Sequence, residues 1–145
     1  MTPTIRPMRI QDAEAVANLA GQLGYTSTSI QIERRFRALE EIPDSQVLVA
    51  LNGDGAVVGW LHVFAGHAIE SEGQAEVGGL VVDVNARGQG IGKALLKAAE
   101  AWARTRGCVE MRIRSNTIRT DAHEFYMHLG YAILKSQNNF KKSLP

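Results

Sequence analysis

Hydrophobic positions along the chain switch between helical and strand spacing, and the switches mark its elements. Residues 4–9 read as a short strand. Val16, Leu19, Ala20 and Leu23 then fall on one helical face, with Asp12 placed to cap the start and Gly24 to end it. Ile32, Phe36 and Leu39 repeat through a second helix from about Ser29 to Glu41, stopped by Pro43 and Asp44. Gln46 to Leu51 has the pattern of a strand, Asn52-Gly53-Asp54-Gly55 is turn chemistry, and Ala56 to Phe64 completes a hairpin. A loop over 65–73 leads into a strand from Ala75 to Val84. A glycine-rich turn follows, then a helix to Arg106 with Ile91, Leu95, Ala98 and Trp102 on one face and Gly107 at its close. Val109, Met111 and Ile113 alternate with Glu110, Arg112 and Arg114 in a half-buried strand. A helix from about Asp121 to Leu129 ends at Gly130, and strand-like segments follow around 131–135 and 139–142. The order β-α-α-β-β-β-α-β-α-β-β predicts a mixed sheet flanked by helices, an α/β arrangement in one domain over residues 1–145.

Composition narrows the function classes. With 45% hydrophobic and 21% charged residues, the chain is expected to be globular and ordered. A net charge of +1 with scattered basic residues gives no electrostatic footprint for nucleic acid, and Lys141-Lys142 is too short for a polybasic tract. Cys108 is the only cysteine, so no intrachain disulfide forms. The start, Met1-Thr2-Pro3-Thr4-Ile5-Arg6, has no signal-peptide pattern, and no apolar run approaches the ~20 residues of a membrane span. A cytoplasmic protein with no membrane partner is the expectation.

The chemistry concentrates in Arg87-Gly88-Gln89-Gly90-Ile91-Gly92 between a strand and a helix. A helix N-terminus offers unpaired N–H groups and the positive end of the dipole, which together bind anions. Glycines let a pyrophosphate approach, and Arg87 adds a charge-assisted donor. The P-loop pattern fails twice: Arg87 stands where its first glycine belongs, and Ala94 replaces the magnesium-binding hydroxyl. The dinucleotide fingerprint GxGxxG fails at Lys93. A tight turn between packed elements, binding nothing, is the plain alternative.

Val81 through Leu96, containing Arg87-Gly88-Gln89-Gly90-Ile91-Gly92, resembles the acetyl-CoA motif of the GNAT superfamily of N-acetyltransferases, Arg/Gln-x-x-Gly-x-Gly/Ala. The resemblance continues through Asn116 and Ala122-His123-Glu124-Phe125-Tyr126-Met127-His128-Leu129-Gly130-Tyr131, and the opening Ile5-Arg6 and Asp12-Ala13 are also typical. It implies a mixed, mostly antiparallel sheet with a splayed central parallel pair and about four helices. In that superfamily a bulge kinks the strand before the loop, and pantetheine lies in the resulting V. Carried onto this chain, Leu80, Val81 and Val82 face pantetheine, and Arg87, Gly88, Gln89, Gly90, Ile91, Gly92 and Lys93 hold the pyrophosphate. Asn116 also contacts pantetheine, and acetyl-CoA is the co-substrate. The polar end of a strand is the other account of Asn116. Homodimers are frequent in the superfamily, and one is an expectation here.

Acyl transfer to an amine requires a neutral amine, a polarised thioester and a protonated leaving thiolate. A lysine-type amine titrates at about 10.4, so a base is needed at neutral pH. The resemblance makes Tyr126 the general acid, near the thiol end of acetyl-CoA; an amphipathic core tyrosine is the alternative. Glu76 lies six residues before Val82, the spacing of the base in one branch of the superfamily. Residues 76, 80 and 82 share strand parity, which a bulge would spoil. Glu76 also fits a solvated strand-end residue, and His62, on the Val58-Trp60-Phe64 face, is a rival base. Cys108 reads as a small core residue, histidine spacing does not suit a metal, and no GxSxG elbow is present. Ternary-complex transfer of acetyl to a small-molecule or peptide amine is the expected reaction; a non-catalytic acyl-CoA sensor is its alternative. The resemblance implies that Gly21 to Ser29 and the connection around Ser136 to Asn139 shape the acceptor site, and neither holds an acidic cluster for a polycation.

Overall fold

The computed structural model describes residues 2–115 and 117–145. They fall into two compact units, Met1–Ile113 and Arg114–Pro145. The first contains β1 (Thr4–Pro7), α1 (Ala13–Gln22), α2 (Ser29–Glu40), β2 (Ser45–Leu51), β3 (Val57–Gly66), β4 (Gln74–Val82), α3 (Ile91–Thr105) and β5 (Glu110–Ile113). The second contains α4 (Thr120–His128).

The five strands form one sheet in the order β1-β2-β3-β4-β5. The first four pair antiparallel, and β4 pairs parallel with β5. The parallel pair therefore lies at one edge of the described sheet. The strands expected at 131–135 and 139–142 do not form; those residues are irregular, with Ile133, Leu134 and Phe140 exposed. Apolar composition alone sets no strand without a partner ladder.

Register assigns the two sheet faces. Val47, Val49 and Trp60 lie on one, where Met8, Ala13, Val16 and Phe36 pack against them from α1, α2 and the chain before them. Leu48, Ala50, Leu61 and Val63 lie on the other, beneath α3. Gly59 brings α3 close: a Cβ there would meet Ile91 and Leu95 side-chain carbons at 3.2 Å. The first residue of α3 is thus pinned to the sheet. The buried stripe of α3 is Ile91, Leu95, Leu96, Ala99 and Ala103 rather than the expected stripe through Ala98 and Trp102. Trp102 is half-buried, its ring lying 5.4 Å from the Arg106 guanidinium carbon.

Helix starts differ from the simple reading. Asp12 does not cap α1 with its side chain; it sits in a 3-10 turn, Ile10–Asp12, that leads into the helix. Its carboxylate accepts from the Arg9 N–H at 2.8 Å and from both Arg6 terminal nitrogens at 2.7 and 3.0 Å. This fork fixes β1 to the start of α1. Thr28 and Gln31 form a capping box on α2.

The Arg6 hydrogen bonds hold the Asp12 carboxyl below its ordinary range, against the opposing effect of burial. Because the folded pKa is the lower one, the stabilisation is complete above the ordinary carboxylate pKa and fades as pH falls through the folded value. Asp12→Asn should cost about 1–2 kcal/mol at pH 7, and urea unfolding should find that gap shrinking below about pH 4. A gap constant from pH 7 to 3 would contradict the ion-pair account.

Candidate active site

The site grows from an irregularity in β4. His62 pairs with Gly79 while the next residue, Val63, pairs with Val77, so Gly78 is an extra residue in the strand. The bulge exchanges faces. Glu76 opposes Phe64, and Leu80 opposes Leu61, which puts Glu76 on the opposite face from Leu80 and Val82. The shared parity expected of residues 76, 80 and 82 is therefore corrected: Glu76 lies with Trp60, His62 and Phe64.

Both glycines are needed by the rings that cross them. A Cβ on Gly79 would lie 2.9 Å from two carbons of the Trp60 indole. A Cβ on Gly78 would lie 3.0 Å from His62 Nδ1 and 3.1 Å from Phe64. Larger residues would force the rings off the strand.

Parallel pairing of β4 with β5 stops at Val77 and Ile113, just before the bulge. Beyond it, the Asp83 N–H donates to the Val58 carbonyl at 2.8 Å. Antiparallel pairs alternate between bonded and non-bonded, so Val81 and Gly79 bond to β3 whereas Leu80 and Val82 turn their N–H and C=O groups away from it. Among the described residues no strand pairs with β4 on that side beyond Val77. Val81 has its backbone directed to Trp60 and its side chain buried, so it holds the strand in place.

The chain leaves β4 through a 3-10 turn, Val84–Ala86, in which the Asp83 carboxylate accepts from Asn85 N–H at 3.0 Å. Gln22 at the end of α1 accepts from Val84 N–H at 2.9 Å, a long-range tie that sequence spacing did not signal. Gly88 and Gly90 follow at φ 78° and 79°, a region that β-carbons disfavour. Gly90 is the N-cap of α3 and supplies no side-chain acceptor; Ala94 N–H is the first to bond back, to the Gly90 carbonyl. By helix geometry the N–H groups of Ile91, Gly92 and Lys93 then point outward from the helix start. Arg87, Gly88, Gln89 and Gly90 are exposed around them, and Arg87 Nε approaches the Val82 carbonyl at 3.4 Å. The result is a donor-rich cradle ending a strand edge that no other strand among the described residues joins.

On the other sheet face, His62 Nε2 lies 2.9 Å from Ser45 Oγ, and its ring is 5.5 Å from that of Phe64. Burial pushes the His62 pKa down, so the ring is neutral at pH 7. Ser45 was not visible as a site residue, because only the β2–β3 register brings it beneath His62.

In the second unit, Tyr126 is half-buried on α4, with its ring 5.4 Å from Phe125 and 6.3 Å from Tyr131. Burial raises its pKa, with Arg119 opposing. The phenol therefore keeps its proton at neutral pH. Asn116 lies outside the described residues. Burial also raises the Cys108 thiol, which suits an unreactive side chain. Among the described residues, no group of three His, Cys, Asp or Glu side chains could hold a metal ion, and no helix is long and apolar enough to cross a membrane.

Comparison with known proteins gives this geometry a context. Residues 14–131 match the model of the Acetyltransferase (GNAT) family. An aminoalkylphosphonate N-acetyltransferase of Salmonella typhimurium is 37% identical over 97% of this chain and 90% of its own. An aminoglycoside N(6')-acetyltransferase type 1 of Stenotrophomonas maltophilia is 31% identical over 89% of this chain and 86% of its own. Among solved structures, a transcriptional regulator from Bacillus halodurans C-125 superposes with a TM-score of 0.81 at 26% identity, covering 99% of this chain and 100% of the other.

Two glycines offer a controlled test of the cradle. Gly55, in the β2–β3 turn, and Gly90 share a φ of 79°. Alanine at either should cost about 1 kcal/mol in backbone strain. Calorimetry with coenzyme A should find binding weakened about tenfold or more by Gly90→Ala and unchanged by Gly55→Ala. Equal affinities for the two variants would remove the cradle from ligand binding.

Proposed function

Since the chain belongs to the Acetyltransferase (GNAT) family, we propose that it is a single-domain, acetyl-CoA-dependent N-acetyltransferase that acts on a primary amine of a small molecule. The observation that carries this reading is the outward-facing backbone of Leu80 and Val82 running into the Gly88–Gly90 turn. A pantetheine arm has amides to pair with such an edge, and a pyrophosphate suits the donors that follow. Arg87 and Lys93 add positive charge at the same end, and the backbone of Gln89 belongs to the same turn.

Transfer proceeds in a ternary complex. The acceptor enters as an ammonium and gives one proton to the His62 imidazole, which releases it to solvent. The freed lone pair forms the C–N bond as the C–S bond breaks, its electrons leaving with sulfur. Tyr126 protonates the thiolate and is restored by the second proton shed from nitrogen. The products are an amide, a free thiol and one proton. His62 takes the base role ahead of Glu76 because it is held neutral beside the bulge, whereas Glu76 stands further along the same face, opposite Phe64.

For the acceptor, an aminoalkylphosphonate-type monoamine is the first choice. The relative of that name is 37% identical over nearly the whole chain. Residues Gly21 to Ser29 carry no acid to attract a polycation, and Arg35 Nη1 donates to Ser27 Oγ at 2.9 Å, bringing a cation to that segment. Likeness to a transcriptional regulator favours a second reading, an acyl-CoA-binding regulatory module without turnover.

Thiol release from acetyl-CoA, followed with 2-aminoethylphosphonate and with kanamycin, separates these readings. Turnover with the phosphonate amine is expected; coenzyme A binding without release from either amine would favour the regulator. Tyr126→Phe should lower kcat about a hundredfold, and unchanged turnover would clear Tyr126 as the acid. The rate should fall as pH drops through a value below the ordinary histidine 6.5, and His62→Gln should abolish that limb. An unaltered acid limb would return the base role to Glu76.

A further inference from the structure

Ser45 has no part in the reaction just described, yet it holds the residue that does. We propose that Ser45 is a positioning residue that fixes the tautomer of His62, keeping the proton on Nε2 and the lone pair on Nδ1. The inference deepens the acetyltransferase reading and rests on His62 being its base.

Three observations carry it. Ser45 Oγ lies 2.9 Å from His62 Nε2, on the same sheet face and part-buried. In the proposed tautomer the hydroxyl accepts, so that Nε2 carries the proton and Nδ1 is the basic nitrogen. Nδ1 in turn faces Gly78, where a side chain would come within 3.0 Å. Glycine at the bulge thus lets the imidazole pack over the strand with Nδ1, the nitrogen that the serine leaves unprotonated, on the Gly78 side. Phe64 packs beside the same imidazole, its ring centroid 5.5 Å away.

The proton path is short. An acceptor ammonium beside Gly78 transfers one proton to Nδ1, and the resulting imidazolium keeps its Nε2–H on Ser45 Oγ. The hydroxyl neither gains nor loses a proton. Release of the Nδ1 proton to solvent restores the starting tautomer.

Nitrogen-15 NMR of His62 in the coenzyme A-bound protein reads the tautomer directly, whether or not turnover occurs. A dominant Nε2–H form is expected; Ser45→Ala should mix the two tautomers, and Ser45→Thr should restore the first. In the thiol-release assay with 2-aminoethylphosphonate and kanamycin, Ser45→Ala should lower kcat roughly tenfold while KM for acetyl-CoA stays within twofold, and Ser45→Thr should recover most of it. A dominant Nδ1–H tautomer in the parent protein, or full kcat in Ser45→Ala with an unshifted spectrum, would overturn the assignment. Absence of turnover in the parent with either amine would instead count against the transferase reading, leaving the spectrum to decide the role of Ser45.

Discussion

The extra residue in β4 is the constraint from which the rest of the site follows. One residue inserted at Gly78 exchanges the faces of everything before and after it. Parallel pairing with β5 stops immediately before it, and the alternation of bonded pairs beyond it turns Leu80 and Val82 outward. A regular β4 would have placed Glu76 on the face of Leu80. The bulge is compatible with packing only because Gly78 and Gly79 admit the His62, Phe64 and Trp60 rings at distances that a β-carbon would violate.

A free strand edge becomes a binding edge only if the donors at its end are held in place. Two contacts do this from opposite sides of the sheet. Gly59 allows Ile91 and Leu95 to seat on β3, which fixes where α3 begins, and Gln22 grips Val84 from the end of α1. The left-handed Gly88 and Gly90 span the distance between them. None of these residues needs to touch a ligand to govern how one binds. The Gln22 contact also joins the segment expected to shape the acceptor site to the turn expected to receive the donor.

Much of this was legible in the sequence, and for identifiable reasons. The glycine turn, the β2–β3 hairpin and the helix over 91–105 rest on local rules, namely positive φ, turn chemistry and helical periodicity, so their existence could be read directly. Gly78-Gly79 is a pair consistent with an irregular strand. Its consequence for Glu76 was not readable, because parity depends on which residue of β4 is skipped by β3. Ser45 and Gln22 were invisible for a related reason: each acts through a partner set by tertiary register, at separations of 17 and 62 residues. Asp12 was placed at the right turn with the wrong task, since the nearby Arg6 competes for its carboxylate. The strand-like segments expected after Gly130 join no ladder among the described residues, and a local pattern does not provide a partner strand.

The central claim is that the β4 edge beyond the bulge, together with the start of α3, receives the acyl-CoA donor. Amide exchange of the single residues on β4, measured by NMR with and without saturating coenzyme A, addresses it most directly. Leu80 and Val82 should exchange more slowly on binding, as should Ile91, Gly92 and Lys93, while Val81, already bonded to β3, should change little. Unaltered exchange at Leu80 and Val82 in protein saturated with coenzyme A would contradict the account.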